Sequence, residues 1–307
     1  MRADEVLKVA VPLVGAAEAA AAVGATLRIR REEVTVSPEM EAVLDGVLGA
    51  LGLRDAVDAL DEQESKMLLS IVEGLLAQAA DFVVSPGRPR WDHEDPSILL
   101  AQGHMSVLCA AALRHLVVPS IGDDELSARL DSPDAAFLDV GVGVAALAIA
   151  ACRMWPQLSV TGIDSWPPAL ALAREAVAAA GLEERFELHE GTIETLDEAD
   201  RYDLAWLPTF FIAKPALAPA LERMHAAMRP GGWVTLGLYA RPGEPLVDAL
   251  ADLRTVRQGG ALVKPQDLVE LLEGAGYTDA GVHFDPAWQL PLAFVAGRRA
   301  PSETPAS

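Results

Sequence analysis

The residues Asp139-Val140-Gly141-Val142-Gly143-Val144-Ala145-Ala146 carry the densest chemical signal in the chain. They close an apolar run, AAFLDVGV over 135–142, and lead at once into an Ala/Leu-rich helical pattern. Glycine serves twice here. It lets the chain reverse tightly out of a strand, and it lets a ligand approach the backbone itself. The helix that follows aims free amides and a partial positive charge at that ligand. Read as G-x-G-x-x-A, the same residues satisfy the dinucleotide fingerprint, so the turn alone does not separate a nicotinamide cofactor from another nucleoside. Asp139 bears on that choice: an acid at the end of the strand can hold a cationic amino group, and it would sit awkwardly beside a pyrophosphate. Asp164 ends the next apolar run, LSVTGID, and can accept both hydroxyls of a ribose, which either kind of cofactor offers.

These residues need a scaffold that lines up strand ends, and the pattern after Pro133 provides one. Apolar strands are expected at 135–142, 158–164, 186–189, 202–207 and 233–239, with helices at 144–155, 167–180, 217–228 and 265–275 between and after them. Gly181 and Gly276 stand where helices stop, and Arg229-Pro230-Gly231-Gly232 is expected to halt the helix before it. Strands alternating with helices at this spacing imply a parallel, doubly wound sheet. Two final strands, 278–284 and 292–297, are joined only by DPAWQLP and are therefore expected to pair antiparallel at one edge. Residues 1–118 read differently, as helix after helix. Asp4 caps one running to about Ala22, Ser37-Pro38 opens another through Leu51, and apolar residues recur at helical spacing from 55 to 84, with Leu68, Leu69, Val72, Leu75 and Leu76 on one face. The loop SPGRPRWDHEDP, 85–96, is the only local cluster of Arg, His and Trp in this half. A further apolar helix is expected over 97–118.

Residues 135–299 resemble a class I S-adenosylmethionine-dependent methyltransferase. FLDVGVGVAALAIA resembles that family's first motif, VTGIDSWPPALALARE its second, YDLAWLP its fourth-strand motif, and MRPGGWVTLGLY the entry to its fifth strand. All four stand in order. The resemblance implies a Rossmann-like, mainly parallel seven-stranded sheet (residues 119–299) preceded by an all-helical cap or dimerisation domain (1–118) and followed by a polar tail (300–307). It implies S-adenosyl-L-methionine as cofactor, with Asp139, Gly141, Gly143, Asp164, Ser165, Thr192, Ile193 and Leu207 around it. The family's third glycine is replaced by Ala145, expected to keep φ negative. The acid that often follows the third-strand glycine is absent, since Gly191 is followed by Thr192 and Ile193. A nicotinamide oxidoreductase and a repurposed, non-catalytic cofactor-binding protein are the competing readings.

The acceptor end is less specified. Leu207-Pro208-Thr209-Phe210-Phe211 follows the fourth strand and is expected to wall the acceptor, with Trp206, Pro208, Phe210 and Phe211 as substrate-binding candidates. This is not the Asn/Asp-Pro-Pro-Tyr/Phe sequence of methyltransferases acting on nucleic-acid bases. Of six histidines, His104 is the candidate general base, on a helix that often covers the cofactor in this family. No His/Asp/Glu spacing suits a metal. A net charge of −21 repels phosphate backbones and argues against nucleic acid. Cys109 and Cys152 stand in apolar helical runs as buried thiols without a disulfide or zinc pattern. Val6–Ala25 is apolar but begins with Asp4 and Glu5 and contains Lys8, Pro12 and Glu18, which fits a helix of a cytoplasmic protein better than a signal peptide or membrane span. Ala-rich helix faces in the front half suggest a homodimer.

Overall fold

Ser37 and Pro38 set the start of a helix as expected: the Ser37 hydroxyl accepts from the Met40 amide, and the helix runs Pro38–Leu51 before Gly52 ends it at φ +70°. In the computed structural model, residues 2–87, 91–283 and 292–302 are described. They form two compact units: residues 1–86 with 95–105, and residues 87–94 with the chain from Ser106 onward. The contacts thus divide after Met105, where a boundary near 118 was expected. The loop tip at 87–94 goes with the second unit.

The first unit contains α1 (Arg2–Arg30), α2 (Pro38–Leu51), α3 (Arg54–Ala59), α4 (Glu62–Val84) and the first part of α5 (Pro96–Ala112). Helix α1 extends a full eight residues past Ala22, and only that later part packs: Val23 and Leu27 join Leu48, Val57 and Leu69 in a small core. The single apolar segment expected over 55–84 is broken at Asp61, whose carboxylate accepts from the Glu64 amide while Glu64 answers from its own side chain. Leu75 is exposed rather than on the packed face. Helices α4 and α5 meet at Gly74, where a Cβ would lie 1.9 Å from the Ala101 methyl. Towards its start α1 stays uncovered: Val6, Leu7, Val9, Val11, Leu13 and Val14 are all more than half exposed. By length and composition alone, the segments Glu5–Arg30, Glu62–Val84 and Pro96–Ile121 are long and apolar enough to cross a membrane.

In the second unit α5 passes through a π turn, Leu113–Val117, into α6 (Val118–Ile121), and α7 (Asp124–Leu130) leads to the sheet. The strands are β1 (Ala136–Val140), β2 (Ser159–Asp164), β3 (Phe186–Glu190), β4 (Tyr202–Pro208), β5 (Met228–Tyr239), β6 (Tyr277–His283) and β7 (Leu292–Arg299). Between them run α8 (Ala146–Met154), α9 (Pro167–Ala179), α10 (Lys214–Ala227), α11 (Pro245–Arg257) and α12 (Pro265–Gly274). Strand order is β3-β2-β1-β4-β5-β7-β6, parallel through β5 and antiparallel at β5–β7 and β7–β6. β1 and β4 are buried along their whole length, as strands covered by helices on both faces must be. One face packs on Leu147, Ala151, Leu170 and Val177, the other on Leu221, Met224, Leu268 and Leu272.

Two segments depart from expectation. Arg229-Pro230-Gly231-Gly232 does not merely stop a helix; it belongs to β5, which begins at Met228. Arg129 reaches in from α7 and donates to the carbonyls of Pro230 and Gly231, giving these strand-end acceptors partners. Helix α11 had no counterpart in the sequence reading, because it opens on Gly243-Glu244-Pro245 and carries a weakly apolar pattern. The connector DPAWQLP and residues 303–307 lie outside the described residues, as does Phe284 of the expected sixth strand.

Candidate functional site

At the carboxyl end of β1 the chain turns through three residues in the left-handed region: Gly141 at φ +72°, Gly143 at +56° and Ala145 at +61°. The first two were expected. Ala145, expected at negative φ, is a correction: an L residue there costs about 1–2 kcal/mol, which the turn sustains because Ala145 is fully buried in the core. The Gly141 and Val142 amides both donate to the Ile163 carbonyl, at 2.8 and 3.0 Å, locking the turn to the end of β2. Helix α8 then begins with no side-chain cap, so no N-cap side chain engages its first-turn amides. Gly141 is exposed, and a Cβ on it would touch the Pro208 ring at 3.4 Å. The turn and the end of β4 therefore meet.

Asp164 is held by this turn. Its Oδ2 accepts from the Gly143 amide and its Oδ1 from the Trp166 amide, each at 2.8 Å. Burial pushes the Asp164 carboxyl up, against the pull of those amides. Asp139 is more extreme. It is almost wholly buried, and its Oδ2 has no hydrogen-bond partner among the described residues. Burial, and secondarily the charge of Asp164, hold its carboxyl well above the usual carboxylate range. Two acids at the ends of neighbouring strands, one orphaned and both raised, make a site that favours a bound cation and hydroxyl donors. Nearby Cys109 is pushed up to about 12, by burial and then by Asp139, so this thiol stays protonated.

The remaining cofactor candidates sit as follows. Ser165 is exposed beside Asp164, and Thr192 is exposed at the start of a short 3-10 turn, Ile193–Thr195. Ile193 and Leu207 turn their side chains into the core, leaving only their backbone to offer a ligand.

On the acceptor side the expectations divide. Trp206 is a core residue: it is 3% exposed, packs against Phe294 at 5.9 Å between ring centroids, and fills the space over Gly237, where a Cβ would lie 2.1 Å from the indole. It therefore walls no acceptor. Pro208 is buried beside the glycine turn, and the Thr209 hydroxyl donates to the Gly237 carbonyl. Phe210 and Phe211 are brought together with residues that the sequence reading missed. Phe210 lies 5.0 Å from both Phe211 and Tyr239, and Phe211 meets Trp91 edge-on at 5.6 Å. Trp91 in turn meets His93 at 4.5 Å. Tyr239 donates to the Gln258 side chain, and burial raises its phenol. The missed signal was the Arg/His/Trp cluster at 85–96, noticed for its composition but not placed against the sheet.

His104 belongs to the helical unit. Its Nδ1 is buried without a partner among the described residues, and burial, then the charge of Lys66, lowers its pKa. His225 packs on Tyr277, and His283 shares a hydrogen bond with Ser120. Glu187, His189 and Glu198 come within reach of one another, a set no linear spacing reveals. Arg201 already pairs with both of those glutamates, at 2.7 and 2.8 Å.

Residues 137–232 match the family described as a methyltransferase domain. The release factor glutamine methyltransferase of Deinococcus radiodurans is 33% identical over 147 residues, which cover 45% of this chain and 47% of that protein. The chain spans less than half the length of the curated relatives it matches. Among solved structures, the mitomycin 7-O-methyltransferase MmcR superposes with a TM-score of 0.62 at 21% identity, covering 97% of this chain and 99% of that one. The S-adenosylmethionine-dependent methyltransferase SibL does so with a TM-score of 0.59 at 24% identity, covering 96% and 99%. At these identities the likeness is one of fold, and it includes the helical region as well as the sheet.

Proposed function

We propose that this chain, whose residues 137–232 form a methyltransferase domain, transfers a methyl group from S-adenosyl-L-methionine to a small-molecule acceptor. The observation that carries the reading is Asp139: a buried carboxylate with an orphaned oxygen, at the end of the strand that enters the glycine turn. A ligand bearing an ammonium group beside a ribose satisfies both Asp139 and Asp164, and a dinucleotide does not. Gly141, Gly143 and the first turn of α8 cradle such a ligand, Asp164 holds its ribose hydroxyls, and Ser165, Thr192 and the backbone of Ile193 and Leu207 border it. Bound there, S-adenosylmethionine supplies an electrophilic methyl on sulfur.

What the protein adds is alignment, exclusion of water and management of a proton. Phe210 and Phe211 present apolar surface at the carboxyl end of β4, where an acceptor belongs in an open α/β sheet. A small molecule fits that surface, and the net charge of −21 disfavours nucleic acid. MmcR, similar in fold over nearly the whole chain, is a mitomycin 7-O-methyltransferase. His104 is our candidate general base. The uncovered apolar part of α1 is read as the surface on which two copies pair, in a cytoplasmic homodimer. Calorimetry with S-adenosylmethionine, S-adenosylhomocysteine and NAD tests the core of the proposal. Binding of the first two and not of NAD is expected; the reverse order would end it. An acceptor screen read by mass spectrometry then separates an enzyme from a non-catalytic binder.

A further inference from the structure

One indole joins the two halves of the site. Trp166 directly follows the Asp164-Ser165 pair, and its backbone amide is one of the two that hold the Asp164 carboxylate. Its side chain points the other way along the relay: the indole Nε1–H donates to the main-chain carbonyl of His93 at 2.7 Å. His93 is buried, and two residues before it Trp91 lies against Phe211, the end of the β4 loop. Residues 87–94 belong to the same compact unit as the sheet, although the helices on either side of them in sequence belong to the other. Three of the rings concerned, Trp91, Trp166 and Phe211, remain partly exposed, so they present surface as well as packing.

A buried carbonyl of an irregular segment requires a donor, and here the donor comes from the residue that also braces the ribose acid. We propose that Trp166 is a positioning residue that couples the nucleoside site to the acceptor wall, through the His93 carbonyl and the ring of Trp91. On this view, which rests on the cofactor reading above, a ligand that engages Asp164 also fixes where Trp91 stands against Phe211. The acceptor wall is then completed by the cofactor, and Trp91 becomes a determinant of acceptor fit.

The chain has six tryptophans, few enough for fluorine NMR of fluorotryptophan-labelled full-length protein, with each resonance assigned by single Trp→Phe replacement. The probe is S-adenosylhomocysteine. In the unmodified chain it is expected to shift the Trp91 resonance along with that of Trp166. Trp166→Phe keeps a ring and deletes one donor. It should bind the probe within about tenfold of the unmodified chain, the most that one neutral hydrogen bond is worth, while the Trp91 resonance no longer responds. A Trp91 response that persists in Trp166→Phe overturns the proposal, as does a Trp91 resonance that never responds in the unmodified chain. If Trp166→Phe fails to fold, Phe211→Leu serves instead: it removes the far end of the contact and must change the Trp91 response without changing probe affinity, and an unchanged response is again a refutation. Failure of the unmodified chain to bind the probe at all is a different result, which strikes the cofactor reading and not the coupling.

Discussion

Replacing Asp139 by Asn should make the empty protein more stable and the cofactor complex weaker. The carboxylate is buried, one of its oxygens has no partner among the described residues, and its pKa is raised chiefly by burial and then by Asp164. A carboxyl whose folded pKa exceeds its unfolded value binds its proton more tightly in the native state. It therefore costs no stability below the unfolded pKa of about 3.9, and stability is lost as pH rises from there through the raised folded value. The penalty therefore grows with pH across that window. An unsatisfied buried polar group costs about 1–3 kcal/mol. Asn brings an amide that also needs partners, so the lower part of that range, about 1–2 kcal/mol, is the expected gain. With a melting shift of roughly 2–4 °C per kcal/mol for a domain of this size, the ligand-free melting temperature should rise by about 2–8 °C. The same substitution removes the charge that a cofactor ammonium would meet. A hydrogen bond to a charged group is worth about 1.5–3 kcal/mol, so S-adenosylhomocysteine should bind roughly 10- to 150-fold more weakly. Scanning calorimetry of the empty protein from pH 5 to 8, with titration calorimetry of the probe, reads both effects. A variant less stable than the parent at neutral pH refutes the assignment of Asp139 as an uncompensated buried acid. Unchanged probe affinity refutes its role toward the cofactor.

Gly141→Ala places a Cβ at φ +72°, costing about 1–2 kcal/mol, and sets it 3.4 Å from Pro208 on the face the ligand must approach; probe binding should fall at least about tenfold by the affinity relation, and normal affinity would count against the cradle. Trp206→Ala should lower global stability by about 3–5 kcal/mol, as for other buried aromatics, measured by urea unfolding. A loss below about 0.5 kcal/mol, the range of surface substitutions, would return Trp206 to the acceptor side. His104→Ala should reduce kcat by about 10²-fold or more if the imidazole takes the acceptor's proton, with probe affinity unaltered. Full turnover in a steady-state assay removes it from the mechanism.

Much of the glycine turn and its two acids was legible because these residues are local in sequence. An acid, two glycines and a helix start occupy one stretch of chain, and the second acid closes the next strand, so spacing alone brings Asp139, Gly141, Gly143 and Asp164 together. Helix boundaries marked by side-chain caps, such as Ser37-Pro38, were equally plain. The acceptor end was not, for reasons visible in particular residues. β4 is buried on both faces, so alternation gave no sign that Trp206 faces the core under Gly237 while Phe210 lies beyond the strand's end. Trp91 reaches Phe211 across a separation in sequence that no periodicity spans. Composition had marked its loop as unusual without saying what it lies against. The positive φ of Ala145 was hidden because a buried position in a tight turn can impose a conformation that the residue's own preference opposes.

The placement of β7 has a consequence for how the chain is made. β5 ends at Tyr239, but its other neighbour does not begin until Leu292, and that neighbour lies between β5 and β6 rather than outside them. As the polypeptide leaves the ribosome, β1 to β5 can assemble in order while one margin of β5 still presents unpaired amides and carbonyls. Helix α11, helix α12 and β6 must all be synthesised before the strand that seals that margin arrives. Nascent chains arrested between Tyr239 and Leu292 should therefore be the ones most prone to self-association, and the protein's yield in cells should depend on how quickly that last stretch is translated.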